Sequence, residues 1–339
     1  MLAAIIGLSG LKLTEDERAF LRAANPAGVA LFGRNVESRA QLRALTDSLR
    51  EVSGRADLPI LIDQEGGRVF RLPQPEWPAF PAARRFAELY EKAPISAIEA
   101  ARANGEALGV TLAEVGINVD CAPVLDLRLE GAHDIIGDRA FDAEPMRVAA
   151  LGRAMLDGLA AGGICGVIKH IPGHGRARAD SHEELPVVPA GEGELAADLA
   201  PFQALHDAPM AMTAHLLYPA WDAERPATLS PTIIAEIIRG RIGFDGLLMS
   251  DDLGMQALSG SLAERAVAAI AAGCDVALHC SGVLAESEEV ARAVGGMSKA
   301  AAERLARAMA RTGRESGQSY HALVAKREAL LAYASNRES

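Results

Sequence analysis

Short runs of Val, Ile, Leu and Ala return along this chain with longer amphipathic stretches between them. Eight such runs are present: Ala3 to Leu8, Gly28 to Phe32, Pro59 to Ile62, Ile117 to Leu125, Gly166 to Ile168, Met210 to Ala214, Leu247 to Met249 and Asp275 to Leu278. Their hydrophobicity is continuous rather than alternating, the pattern of parallel strands covered on both faces. The stretches between carry helix signals. Thr14 followed by Glu17, and Ser38 followed by Gln41, have capping-box spacing, and Leu42, Leu45, Leu49 and Val52 recur on one helical face. Ser230-Pro231 reads as an N-cap with proline at the first helical position, ahead of Ile233, Ile234, Ile237 and Ile238. Strands alternating with helices in this way predict an α/β fold of the TIM-type (β/α)8 barrel, with a doubly wound open sheet as the alternative. The long segment from Arg68 to Gly116 departs from even spacing.

Nothing along the chain divides it. It shows no internal repeat, low-complexity tract or Pro/Ser-rich linker, so residues 1–339 are read as a single catalytic barrel domain, with terminal helices from about Lys299 packed on it. Half of the residues are hydrophobic and 23% charged, ordinary for a globular protein with a large core. The formal net charge of −11, without any basic run, argues against a nucleic-acid partner. The four cysteines (Cys121, Cys165, Cys274, Cys280) lack C-x-x-C spacing and suggest buried thiols in a reducing compartment. Met1 to Gly10 reads as a first strand rather than a signal peptide, and no apolar stretch has the length of a membrane span. These features predict a cytoplasmic protein without membrane association.

In such a barrel the site lies at the C-terminal ends of the strands, so the polar residues that follow each run become the candidates. They are concentrated. After the third run come Asp63-Gln64-Glu65-Gly66-Gly67-Arg68, with Arg71 beyond, and after the fourth come Asp126 and later Gly137-Asp138-Arg139. After the fifth come Lys169 and His170, after the sixth Thr213 and His215, and after the seventh Ser250-Asp251-Asp252. Taken singly, each has a plain structural role open to it: a helix cap or salt-bridge partner for an Asp, a surface position for Arg71 and Arg139, a core histidine bonded to backbone for His215, and a structural role for His170. Convergence on one end of the strands is what favours chemistry. Asp251 and Asp252 are adjacent at a strand end, so one of them is expected to face the pocket. Asp180 and His182, on a Gly- and Arg-rich loop after His174, form a plausible carboxylate–imidazole dyad for proton transfer. A strand-end carboxylate with a separately held acid/base fits displacement at an acetal carbon.

These motifs resemble one known family, the β-N-acetylglucosaminidases of glycoside hydrolase family 3, NagZ type. The likeness covers most of the barrel. It rests on Ile62 to Val69, on Cys121-Ala122-Pro123-Val124-Leu125-Asp126, and on Lys169 to Gly175 closing on Asp180-Ser181-His182. Met212-Thr213-Ala214-His215 with Pro226 to Ser230, and Ser250-Asp251-Asp252-Leu253-Gly254-Met255, complete it. The resemblance implies Asp251 as nucleophile, His182 as general acid/base and Asp180 as its orienting partner. It implies further that Asp63, Arg71, Arg139, Lys169 and His170 hold the hydroxyls of a terminal N-acetylglucosamine, with neither metal nor cofactor. His174 is read as shaping the loop. Ala140 stands where relatives commonly carry Ser. Members of compact, single-domain form act in the cytoplasm of Gram-negative bacteria on recycled cell-wall fragments, which implies GlcNAc-containing 1,6-anhydro-muropeptides as the carbohydrate partner.

Other readings compete. A β-glucosidase or an N-acetylglucosaminide phosphorylase would share the fold. A metal-dependent amidohydrolase also uses a barrel with Lys, His and a late strand-end Asp, but it needs an H-x-H pair at the first strand, where this chain has Leu8-Ser9-Gly10. A sugar-binding protein without catalysis explains neither the Asp180/His182 pair nor Asp251.

Overall fold

Each of the eight apolar runs becomes one strand of a closed parallel barrel in the computed structural model, which describes residues 1–181 and 183–335. The strands are β1 (Leu2–Gly7), β2 (Pro26–Leu31), β3 (Ile60–Ile62), β4 (Val119–Asp120), β5 (Cys165–Ile171), β6 (Met210–Thr213), β7 (Leu247–Asp252) and β8 (Val276–His279). They pair in chain order, and β1 closes on β8 with Ala4 opposite Ala277. The TIM-type expectation holds and the open-sheet alternative falls. Alternation along each strand sends one residue inward and the next outward. Ile5, Leu61, Val167, Met212 and Met249 fill the barrel interior together with Cys121, Cys165 and Cys280. Ile6, Ile60, Ile62, Ile168 and Leu248 pack outward against the helices.

The helices are α1 (Glu15–Ala24), α2 (Arg39–Ser53), α3 (Arg84–Tyr90), α4 (Pro94–Glu114), α5 (Pro145–Ala161), α6 (Glu192–Ala204), α7 (Leu262–Ala272), α8 (Leu284–Ala293), α9 (Lys299–Met309) and α10 (Tyr320–Ser335). A π-helical segment at Ile233–Arg241 fills the place between β6 and β7. Thr14 and Glu17 form the full reciprocal cap on α1. At α2 only half of the box exists: Ser38 Oγ accepts from the Gln41 N–H at 3.2 Å, while the Gln41 side chain accepts from Glu37. Ser230 Oγ caps the π-helical segment through the Ile233 N–H, with the four isoleucines buried as the spacing requires. Helices α9 and α10 follow β8 and α8 along the chain, α9 sealing the base of the barrel with Leu305, Ala308 and Met309.

The run Ile117 to Leu125 yields less regular strand than its length suggests. Pro123 has no N–H to give the ladder, so regular pairing stops at Asp120. Backbone bonds continue irregularly, with Leu125 N donating to Lys169 O at 2.7 Å and Val167 N to Ala122 O at 3.0 Å. The segment from Arg68 to Gly116, which breaks the even spacing, holds α3 and α4. Helices α4 and α5 meet backbone to backbone: a Cβ on Gly158 would lie 2.2 Å from the Arg102 carbonyl. No helix among the described residues is long and apolar enough to cross a membrane.

Candidate active site

The C-terminal mouth of the barrel encloses a cavity of about 420 Å³, enough for a monosaccharide and part of its neighbour. All five residues expected to hold sugar hydroxyls line it, as does Asp251. Lys169 is the centre of the charged wall. Its Nζ lies 2.9 Å from Asp63 Oδ1 and 2.7 Å from Glu65 Oε1, with the side chain only 2% exposed. Glu65 accepts a two-pronged contact from Arg139, Nε and Nη2 each at 2.8 Å, and Asp63 accepts from Arg71 Nη2 at 3.2 Å. Burial works against the charges of Lys169, Glu65, Asp63 and Arg139. Lys169 and Arg139 nonetheless hold Glu65 far below the usual carboxylate range, Lys169 and Arg71 hold Asp63 down, and the two carboxylates raise Lys169 above the ordinary lysine value. The wall therefore presents fixed charges near neutral pH.

Two quieter residues aim Arg71. The Gln64 side chain accepts from the Arg71 and Leu72 N–H groups at 2.8 and 3.1 Å, and Gln64 N donates to Asp120 Oδ1 at 3.0 Å. Burial pushes the pKa of the Asp120 carboxyl, on β4, well above the usual carboxylate value.

Strand β5 slips register between Ile168 and Ile171. A bulge of this kind re-aims side chains, and here consecutive Lys169 and His170 both reach the cavity. His170 Nδ1 lies 2.7 Å from Asp126 Oδ2. Burial opposes the Asp126 charge, but His170 and the backbone bonds outweigh it and hold the carboxylate low, so it accepts and Nδ1 donates. Asp126 Oδ1 accepts from the His170 and His174 N–H groups at 3.1 and 2.6 Å, tying the start of the following loop to the segment that leaves β4. The His174 ring does shape that loop: Nε2 meets Ser181 Oγ at 3.2 Å, and burial with His170 nearby lowers its pKa to about 4. Gly175 runs against Leu127, where a Cβ would fall 2.1 Å from a carbonyl oxygen.

Strand β7 also slips, between Met249 and Asp252, and this overturns the expectation that one of the two aspartates faces the pocket: both line it. They differ in what they hold. Asp252 Oδ1 accepts from the Gly254 and Cys280 N–H groups, each at 3.0 Å, and is a structural acceptor. Asp251 Oδ1 accepts one bond, from Asp252 N at 2.8 Å. Burial would raise the Asp251 pKa, but His215, His170, that N–H and Lys169 together keep it below the ordinary value, so the carboxylate is ionised and available.

Asp180 sits at the tip of the loop, its carbonyl accepting from Glu183 and Glu184 N–H. Ser181 reaches the cavity wall, and its carbonyl accepts from Ala257 N at 3.3 Å, so the loop lies across the β7 side of the mouth. His182 lies outside the described residues. Among those described, no group of three or more His, Cys, Asp and Glu is placed to hold a metal ion.

Glu65, Asp126 and Asp252 were visible at strand ends without a role, and their signal was adjacency to the candidate cations and backbone turns. His215, open to a core reading, is indeed fully buried, with Nδ1 2.7 Å from Thr228 Oγ1 and Nε2 3.0 Å from the Asp252 carbonyl.

Comparison with known proteins places this architecture. The family model described as the glycosyl hydrolase family 3 N terminal domain matches residues 2–314. A β-hexosaminidase of Bordetella avium (strain 197N) is 42% identical over 282 residues, spanning 82% of this chain and 80% of that one. A β-hexosaminidase of Chromobacterium violaceum is 37% identical over 340 residues, covering 98% and 93%. The crystal structure of NagZ from Neisseria gonorrhoeae in complex with N-trifluoroacetyl-D-glucosamine superposes with a TM-score of 0.84 at 33% identity, covering 99% of this chain and 98% of that one. Barrel, charged pocket and sequence likeness agree, and the chain belongs to glycosyl hydrolase family 3, in its NagZ-type β-hexosaminidase group.

Proposed function

We propose that this glycoside hydrolase is a retaining exo-β-N-acetylglucosaminidase that removes terminal N-acetylglucosamine from peptidoglycan fragments such as GlcNAc-1,6-anhydro-MurNAc-peptides during recycling. The observation that carries the reading is an ionised Asp251 at the end of β7, facing a closed wall of Asp63, Arg71, Arg139, Lys169 and His170. Such a wall suits a terminal sugar, because its donors and acceptors alternate like hydroxyls and its charges are fixed before the sugar arrives. Similarity to β-hexosaminidases, and to a NagZ crystallised with an N-acylated glucosamine, supports the choice of sugar.

In this reading Asp251 Oδ2 attacks the anomeric carbon, the bond from that carbon to the aglycone oxygen breaks, and His182 gives its proton to the leaving oxygen. Water then attacks the same carbon, passes a proton to His182 and releases Asp251. Asp180 orients His182, and the acetamido group takes no covalent part. The four buried free cysteines support a reducing compartment and, with it, action in the cytoplasm.

The test is nitrophenol release from the β-N-acetylglucosaminide and the β-glucoside, side by side, without phosphate, followed by digestion of a GlcNAc-anhydro-muropeptide. Selective cleavage of the first with release of free N-acetylglucosamine is expected. Preference for the glucoside, or turnover only with phosphate, would overturn the assignment. Asp251→Ala is expected to fold and to lose turnover.

A further inference from the structure

The nucleophilic strand end is held by a hydrogen-bond chain that begins on a different strand. The Asp252 carbonyl accepts two bonds, one from Met255 N at 3.1 Å, closing the turn, and one from His215 Nε2 at 3.0 Å. A carbonyl only accepts, so His215 carries its hydrogen on Nε2. The ring is fully buried, and burial lowers its pKa, so Nδ1 is a bare lone pair. Thr228 Oγ1 lies 2.7 Å from Nδ1 and 3.1 Å from the Ala214 carbonyl, so its single hydrogen is shared between these two acceptors, with the shorter contact to Nδ1 the principal one. Thr213 Oγ1, at the end of β6 and 2.7 Å from Thr228 Oγ1, in turn donates to Thr228. All four residues are buried or half-buried, and the proton order runs one way: Thr213 to Thr228 to His215 to the Asp252 carbonyl.

Asp252 is thereby fixed on every side. Its carboxylate accepts from Cys280 and Gly254, the next N–H (Leu253) donates to Leu278 O at 2.9 Å, and its carbonyl takes the His215 bond. Its own N–H donates to Asp251 Oδ1 at 2.8 Å. That bond occupies one carboxylate oxygen and, among the described residues, leaves Oδ2 without a hydrogen bond.

We propose that His215 is a positioning residue for Asp251: the Thr213–Thr228 chain locks its neutral Nε2–H form, which clamps the Asp252 carbonyl and so selects and aims the oxygen of Asp251 that attacks the sugar. This rests on the reading of Asp251 as nucleophile. His215 does not line the cavity, so its effect falls on the chemical step and not on sugar binding.

The test compares His215→Leu, His215→Gln and Thr228→Val in steady-state turnover of the nitrophenyl β-N-acetylglucosaminide, with the folded fraction fixed by urea unfolding. A nucleophile misplaced by about an ångström loses roughly 10²-fold in rate. His215→Leu is expected to lower kcat by about that factor with KM within about threefold. His215→Gln, whose amide N–H can reach the same carbonyl, is expected to recover most of the loss. Thr228→Val, which frees the tautomer, should cost about tenfold in kcat. In the unsubstituted enzyme, ¹⁵N imidazole NMR should show His215 protonated on Nε2 and not on Nδ1. A folded His215→Leu enzyme with kcat within twofold of the parent overturns the proposal, as does a loss confined to KM, a Gln variant no better than Leu, or an Nδ1–H tautomer. If His215→Leu does not fold, Gln and Thr228→Val decide: unchanged kcat in Thr228→Val refutes the chain. Asp251→Ala separates the two levels, since residual full activity there removes the nucleophile reading itself, whereas an inactive Asp251→Ala beside an unimpaired His215→Leu refutes only the positioning role.

Discussion

Replacing Glu65 by leucine deletes the carboxylate shared by the two most enclosed cations of the pocket. Lys169 keeps Asp63 at 2.9 Å, but Arg139 loses both arms of its fork and retains the Ile135 carbonyl at 3.1 Å. The side chains involved are 6% (Glu65), 10% (Arg139) and 2% (Lys169) exposed, so water does little to replace the missing partner. Breaking a buried pair from one side costs about 3–5 kcal/mol. With a urea slope of about 3 kcal/mol/M for a domain of this size, the unfolding midpoint should drop by about 1–1.7 M. Because the Glu65 pKa is lowered on folding, its contribution is present above the unfolded value near 4.3 and is lost as pH falls through the folded value. The gap between parent and variant should therefore be constant from pH 5 to 8 and shrink in acid. Urea titrations at pH 4, 5 and 7 measure both features. A midpoint within about 0.2 M of the parent at pH 7 would refute the view that this carboxylate holds the wall together.

Three further outcomes follow from particular contacts. Asp198, whose Oδ2 accepts from Arg176 Nε at 2.6 Å where the loop after β5 begins, has its pKa raised to about 6 by burial. It adds stability below the unfolded value near 3.9 and loses it as pH rises through about 6, so the stability difference between parent and Asp198→Asn should decline between pH 4 and 6 and level off above; a flat difference over that range would contradict this. His174, lowered to about 4, contributes stability above the unfolded value near 6.5 that is lost as pH falls through about 4, and NMR should find its ring neutral down to about pH 5. Gly175→Ala puts a Cβ 2.1 Å from the Leu127 carbonyl, an overpacking expected to cost about 1–3 kcal/mol and to lower kcat by moving the loop; unchanged unfolding and turnover would mean the backbone yields freely.

The barrel was legible because its strands are buried on both faces and so write continuous apolar runs, and the strand-end rule then located the pocket. What the runs did not carry was irregularity. The stop at Asp120 depends on Pro123, and the slips at Lys169-His170 and Asp251-Asp252 depend on pairing with neighbours far along the chain. These slips are what turn consecutive side chains into one cavity, against the simple alternation that placed only one aspartate there. Glu65, Asp126 and His215 show the same gap from the other side. Each stood in plain view near a strand end, but its role lies in a partner (Arg139, His170, the Asp252 carbonyl) that only the closed barrel brings within reach.

The proposed mechanism requires Asp251 to be the group that bonds to the sugar. Trapping with a fluorinated N-acetylglucosamine donor, whose slowed second step lets the adduct accumulate, followed by proteolysis and mass spectrometry, tests that directly. One glycosyl unit is expected on the peptide bearing Ser250-Asp251-Asp252, assigned to Asp251 by fragmentation and absent from Asp251→Ala. An adduct on Asp252 or elsewhere, or inactivation without any covalent sugar, would contradict it.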